Sequence, residues 1–230
     1  MGNIVYLCNY LKEDVLQQRN NSNTFAQAAN NKIMQIKKAL TLNGHDVIIL
    51  STGLVNNKSF RFFKGFKSKS ENNLIYISII DIPLLNIISS ILFMFIQLCK
   101  IHRKKGIDYI IFWNYKPEVA IAAWLCKIIL KIKIIVDYED GYFALKHLGR
   151  GKVFIFNLVE KLVCRSLDGA ILISKHLVKR IPKKVKFIIL EGITNEEVIK
   201  KVKKLKKIRN KRITLMYAGG LDKERGIDVL

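Results

Sequence analysis

The 230 residues carry 40 Lys and Arg against 18 Asp and Glu, a formal net charge of +22, and half of them are hydrophobic. That length allows one large domain, or one domain and a fragment of another, and the apolar share excludes a chain too polar to build a core. The charge excess excludes an electrostatically indifferent surface and calls for an anionic partner: a membrane, nucleic acid or a phosphate-bearing substrate. Cys8, Cys99, Cys126 and Cys164 are far apart with no CxxC pairing, which fits buried thiols in a reducing compartment.

Along the chain, the apolar run in residues 3–8 predicts a first strand, too short for a secretory leader, so the cytoplasm is expected. Residues 9–23 are polar and lack a hydrophobic period, and predict a loop. Thr24 can cap a helix running to about Leu42, with Ala28, Ile33, Ile36, Ala39 and Leu40 on one stripe; Gly44 stops it, and a strand follows over 46–50. Strand, helix and strand in this order form a parallel crossover unit. Residues 51–73 are basic and interleaved with Phe60, Phe62, Phe63 and Phe66, and predict irregular chain. A third strand is expected over 74–80. Pro83 then opens a long apolar helix to about Arg103.

The alternation continues with a strand at 108–113, a helix at 117–130 and a strand at 132–136, then a polar loop at 137–150. A helix at 152–167, a strand at 169–173, a short helix capped by Ser174 and a strand at 185–190 complete the series. The strands are β-branched and apolar with little alternation, as strands covered on both faces are. The predicted class is α/β, a doubly wound parallel sheet, Rossmann-like, over 1–190. A basic linker with a short amphipathic helix is expected over 191–211. In residues 212–230, a strand, a Gly219-Gly220 turn and a helix start would open a second domain.

Ligands of such sheets bind beyond the carboxyl ends of the strands, near where the strand order reverses. The long loop after the first strand contains no G-x-G-x-x-G, so no NAD or FAD cofactor is expected, and no metal. After the fourth strand, Asn114 and Tyr115 offer hydrogen-bonding groups before Pro117; the alternative part for Asn114 is a helix cap. After the fifth strand, Asp137, Glu139 and Asp140 cluster beside two tyrosines and Gly141. Such a cluster can hold sugar hydroxyls, bind a cation or act in acid–base work, or be plain solvated loop charge. Near the end, Gly219, Gly220 and Arg225 place a glycine turn and a cation at a helix start, which suits phosphate.

The order of these pieces resembles retaining glycosyltransferases with two Rossmann-like domains, the GT-B fold and its family-4-like group. The residues concerned are Ala28-Ala29-Asn30-Asn31-Lys32-Ile33 with Asn43-Gly44-His45-Asp46-Val47, Asn114-Tyr115-Lys116-Pro117-Glu118 after Asp108, the 137–141 stretch, and Asp168-Gly169-Ala170 before Ile173-Ser174. Tyr217-Ala218-Gly219-Gly220-Leu221 with Glu224-Arg225-Gly226 and Leu230 is similar to the family's G-R-L-x-x-E-K-G-x-x-x-L opening of the donor domain. Gly220 stands where the family has Arg, and Arg225 where it has Lys.

The resemblance implies an N-terminal acceptor domain using Asn31, Lys32, Asn114, Tyr115 and Glu118. It implies catalytic carboxylates among Asp137, Glu139 and Asp140, and donor-phosphate contacts at Gly219, Gly220 and Arg225. The expected partners are a nucleotide-sugar donor and a lipid-linked or glycan acceptor in bacterial surface polysaccharide or glycolipid assembly. Further donor-domain residues would lie beyond residue 230, and the chain alone is expected to be inactive.

Residues 82–99 are uncharged throughout and basic residues follow them. Polar interruptions, and a place between two strands of one sheet, favour a buried or interface-lying crossover helix over a spanning one. The lysine clusters at 58–69, 100–105, 175–186 and 200–212 suit an anionic leaflet, so peripheral attachment to the inner face of the plasma membrane is expected. The competing classes are a nucleic-acid-binding module, with aromatics at 60–66 stacking on bases, and a non-catalytic membrane-associated module; nucleic acid is not expected as the partner.

Overall fold

The computed structural model describes residues 1–19, 27–54, 60–83, 85–139 and 149–192. The chain divides into two units, Met1–Ile193 and Thr194–Leu230. The second lies outside the described residues, and with it the predicted linker helix and the 212–230 segment. Thr24 and Lys58 also lie outside them.

The elements in order are β1 (Asn3–Cys8), α1 (Glu13–Gln18), α2 (Gln27–Leu42), β2 (Asp46–Ser51), β3 (Phe62–Phe63), β4 (Phe66–Lys67), β5 (Leu74–Tyr76), β6 (Ile79–Ile80), α3 (Leu85–Lys105), β7 (Tyr109–Trp113), α4 (Pro117–Leu130), β8 (Lys133–Tyr138), α5 (Arg150–Cys164), β9 (Gly169–Leu172), a 3₁₀ turn (Lys175–Arg180) and β10 (Lys186–Ile189). Eight strands form one sheet in the order β10-β9-β8-β7-β1-β2-β5-β4; β3 and β6 form a separate antiparallel pair. Every pairing in the large sheet is parallel except β4 with β5. This is the expected α/β, Rossmann-like class.

Alternation along β1 sorts the core into two layers. Val5 and Leu7 face one side, with Ile110, Phe112, Val136 and the inner residues of α3, α4 and α5. Ile4, Tyr6 and Cys8 face the other, with Ile33 and Ile36 of α2. Right-handed crossovers account for the division. The connections through α3, α4 and α5 all step toward β10, so these helices share a face. The β1-α2-β2 unit steps the other way, which puts α2 on the opposite face. The strand order therefore reverses between β1 and β7, and a ligand crevice belongs there.

Local chemistry fixes several boundaries. Pro117 occupies the first turn of α4, where its missing N–H costs nothing, and Lys131 ends the helix in a left-handed conformation. Gly44, at φ +81°, closes α2 with its N–H on the Thr41 carbonyl. At Gly65, between β3 and β4, a Cβ would come within 2.7 Å of the Tyr76 carbonyl oxygen, so only glycine lets this segment cross β5 so closely.

Four expectations are corrected. The loop at 9–23 contains α1, held by buried Val15 and Leu16. The Arg19 guanidinium beyond it donates to the carbonyls of Thr52 (2.7 Å), Gly53 and Ile77 (2.8 Å). The 51–73 segment contains β3 and β4, which pair with β6 and β5. The single strand at 74–80 breaks into β5 and β6, because its two halves have different partners. Ser174 sits at the cap position of the 3₁₀ turn but makes no side-chain capping bond.

Leu50 is fully buried against the α3 layer. Leu50→Ala is expected to cost about 2–5 kcal/mol in urea denaturation, whereas Leu92→Ala, on the exposed side of α3, should stay within about 0.5 kcal/mol of the parent.

Candidate functional site at the strand-order reversal

At the carboxyl ends of β1, β7 and β8, side chains from four segments converge. Asp137 is on β8 and points to the α2 side of the sheet. Its carboxylate is 0% exposed and accepts from the Tyr6 hydroxyl of β1 and, at 2.7 Å, from Lys32 Nζ of α2. Lys32 also pairs at 2.7 Å with Glu139, one residue past β8. Asn114, just past β7, adopts φ +55°, a left-handed conformation that asparagine tolerates better than most side chains. Its backbone N–H donates to the Asp137 carbonyl (2.8 Å), and its side-chain Oδ1 accepts from the Glu139 N–H (2.7 Å). Two carboxylates and one ammonium are thus held by β1, β7, β8 and α2 together, at the crevice position that the topology dictates.

The electrostatics follow from burial. Desolvation raises the Asp137 carboxyl above the ordinary range, with Lys32 and the Tyr6 hydroxyl opposing it. The Tyr6 phenol is raised too, first by burial and then by the neighbouring Asp137 charge. With both carboxylates ionised the cluster has one negative charge more than Lys32 balances. The side chains of Glu139 and Lys32 are 13% and 10% exposed and are its contact with solvent. Beside them at the end of β7, Lys116 Nζ lies 4.7 Å from the centre of the Trp113 ring. Such a mouth offers an acceptor oxygen, an ammonium donor and an aromatic face, a combination suited to a hydroxylated ligand.

Some expected site residues gather here and others do not. Lys32, Asn114, Asp137 and Glu139 come together. Asp137 belongs to the strand rather than to a loop, and both its oxygens are engaged. One oxygen accepts from the Tyr6 hydroxyl and the other from Lys32. Asn114 ties β7 to the exit of β8 and is not a helix cap; the capping position belongs to Lys116. Tyr115, expected in the mouth, is fully buried in the α4-side core, edge-on to Phe112 and Tyr138 at 5.8 and 5.0 Å. It was misplaced because the left-handed turn at Asn114 directs the next side chain inward.

Glu118 is buried in the first turn of α4, where the helix dipole favours a carboxylate; none of the cluster's hydrogen bonds involves it. Asn31 is exposed on α2. Asp140, Gly219, Gly220 and Arg225 lie outside the described residues. Tyr6 and the Trp113–Lys116 pair were not anticipated: an apolar strand gives no signal that one tyrosine will meet a carboxylate 131 positions later. Among the described residues no group of three or more His, Cys, Asp or Glu could hold a metal.

No protein-family model matches the chain, and no curated protein matches it. Solved structures do. Sucrose-phosphate synthase from Thermosynechococcus elongatus aligns with TM-score 0.55 and 12% identity over 81% of this chain and 47% of that one. A second structure of that synthase, a shorter chain, aligns with TM-score 0.50 and 14% identity over 85% of this chain and 92% of that one. The fold is glycosyltransferase-like. At these identities the likeness is one of fold, and the chain spans about half the length of the longer synthase chain.

Asn114→Ala is expected to lower stability by about 1–3 kcal/mol in thermal unfolding, since it strains a left-handed backbone and strips the Glu139 N–H of its acceptor; Asn114→Gly should cost less, because it relieves the backbone. The folded protein holds the Asp137 proton more tightly than the unfolded chain, whose carboxyl titrates near about 3.9. The contribution of that group is therefore complete below this value and declines as pH rises through the higher folded value. The stability difference between the parent and Asp137→Asn should accordingly shift against the parent as pH rises through that window.

Proposed function

We propose that this chain provides the acceptor-binding half of a retaining, GT-B glycosyltransferase of the family-4-like group, and that the acceptor is a lipid-linked or glycan intermediate of bacterial surface polysaccharide or glycolipid assembly. The supporting observation is the Lys32–Asp137–Glu139 cluster at the strand-order reversal of a glycosyltransferase-like fold. Glu139 and Lys32, with the Trp113 ring beside them, would take the acceptor's hydroxyls, and Asp137 would hold Lys32 in place. Glu139 and Asp140 stand as the carboxylates that could assist proton removal from the acceptor. In retaining transfer the leaving phosphate can itself take that proton, so a protein base is not strictly required.

The nucleotide-sugar donor would be held by a second Rossmann-like domain that residues 212–230 open, with Gly219, Gly220 and Arg225 beside its diphosphate. Alone, the 230-residue chain would not transfer sugar. The place of work would be the cytoplasmic face of the plasma membrane, where lipid-linked acceptors are presented.

Saturation-transfer NMR on the full 230-residue chain with a panel of oligosaccharides, lipid-linked saccharides and nucleotide sugars tests this. Binding of an acceptor-class saccharide is expected, weakened at least about tenfold by Glu139→Gln. No sugar should be transferred from any nucleotide sugar. Transfer by the purified chain would refute the half-enzyme assignment. Salt-dependent nucleic-acid binding tighter than about 1 μM, with no saccharide bound, would favour the nucleic-acid module instead.

A further inference from the structure

The layer formed by α3, α4 and α5 has an outer face unlike that of an ordinary solvent-exposed helix layer. On α3 the exposed ridge runs Leu85, Ile88, Leu92, Ile96 and continues as Lys100 and Arg103, with Ile88 60% and Leu92 53% exposed. On α5 the exposed residues include Phe154 (69%), Ile155, Leu158 (57%) and Leu162, flanked by Lys152 and Lys161. Between them lies α4, which packs against both neighbours and contributes half-buried Trp124 and exposed Ile128 and Ile129. A soluble surface helix has its apolar stripe inward and polar residues outward. Here α3 and α5 have an inner and an outer apolar stripe, and a continuous apolar face results.

Charge identifies the occupant. The three helices contain eight Lys and Arg (100, 103, 104, 105, 127, 150, 152 and 161) and two carboxylates, Glu118 and Glu160. Both carboxylates are buried, and Glu160 is taken up by Arg180 (2.8 Å) and the Tyr138 hydroxyl (3.1 Å). Lys127 is taken up by Asp168 and Lys105 by Asp46, and the outward face presents greasy side chains with the remaining exposed cations Lys100, Arg103, Lys104, Lys152 and Lys161, and no exposed acid on the three helices. A second copy of the same cationic face would meet it with like charge, whereas an anionic bilayer matches both features.

Although α3 is long and apolar enough to cross a bilayer, only 28% of its apolar stretch is buried, and it packs on α4 and β6. It lies along the layer as a crossover. Beside it, a groove of about 370 Å³ lined by Lys64, Lys67, Phe66, Phe93, Ile96 and Lys100 combines ammonium groups with an apolar floor, as a phosphate headgroup with its adjoining chain requires.

We propose that the outer face of α3, α4 and α5 docks on an anionic membrane surface, its apolar ridges entering the headgroup–acyl boundary and its lysines and arginines contacting lipid phosphates. The docking does not depend on sugar transfer. Vesicles free of saccharide test it, so its failure and the failure of the acceptor assignment are separate results.

The experiment is sedimentation of the full chain with phosphatidylcholine vesicles containing or lacking about 30 mol% phosphatidylglycerol. Binding only to the anionic vesicles is expected, weakened at least about tenfold by Leu92→Glu or by Leu158→Glu. Both positions are exposed, so circular dichroism should match the parent. In a Trp113→Phe variant, Trp124 is the only tryptophan, and brominated acyl chains should quench it. Unimpaired binding by both glutamate variants, or an unquenched Trp124, overturns the proposal. So does failure of the parent to bind anionic vesicles. If the parent is then a dimer that the same substitutions dissociate, the face is an interface between copies.

Discussion

The arrangement of this fold turns on one buried carboxylate. Asp137 lies in the interior of an α/β sandwich, where an unpartnered charge would be costly, and it is tolerated because Lys32 and Tyr6 reach it from α2 and β1. Since the three groups come from separate elements, satisfying Asp137 fixes where α2 lies over β1 and β8. The same geometry leaves Lys32 with a second face, which takes Glu139, and Asn114 secures the backbone that presents Glu139. A requirement of folding, the neutralisation of a buried acid, thus assembles polar groups at the crevice where parallel sheets place their ligands.

Much of the fold is legible because burial on two faces imposes a distinctive composition. β1, β2, β7 and β8 each carry adjacent β-branched residues within a mostly apolar run, and α4 was bounded correctly at both ends, with a proline at its start and an apolar stretch through its length. The errors fall where tertiary partners override local pattern. Six residues are too few to show a helical period, so α1 depends on Val15, Leu16 and the Arg19 clasp and leaves only Glu13 and Asp14 in its first turn as a cue. Two-residue strands such as β3 and β4 exist only because β6 and β5 offer edges to them.

The site was legible in part for the same reason. Four of the expected residues do converge, since the ends of parallel strands converge by construction. Their parts were less readable. A carboxylate next to an acidic stretch reads as solvated loop, and nothing near Asp137 in sequence announces a lysine 105 positions earlier. Tyr115 looks like a polar residue at a strand end, yet the backbone turn before it sends the ring into the core. The basic charge, by contrast, was evident at once, but its pairing with outward apolar ridges on α3 and α5 emerges only when the packing shows which sides those helices have already buried.

The coupling between Lys32 and Asp137 is the most direct measure of whether this interaction organises the molecule. A double-mutant cycle of Lys32→Met and Asp137→Leu, read by urea denaturation, isolates it. A coupling of at least about 2 kcal/mol is expected, the double variant losing far less stability than the two single losses added together, because Lys32→Met leaves the Asp137 carboxylate buried without its cation and Asp137→Leu leaves Lys32 with Glu139 alone. Additivity to within about 0.5 kcal/mol would mean that the two side chains fold independently, and would contradict the place given to Asp137 here.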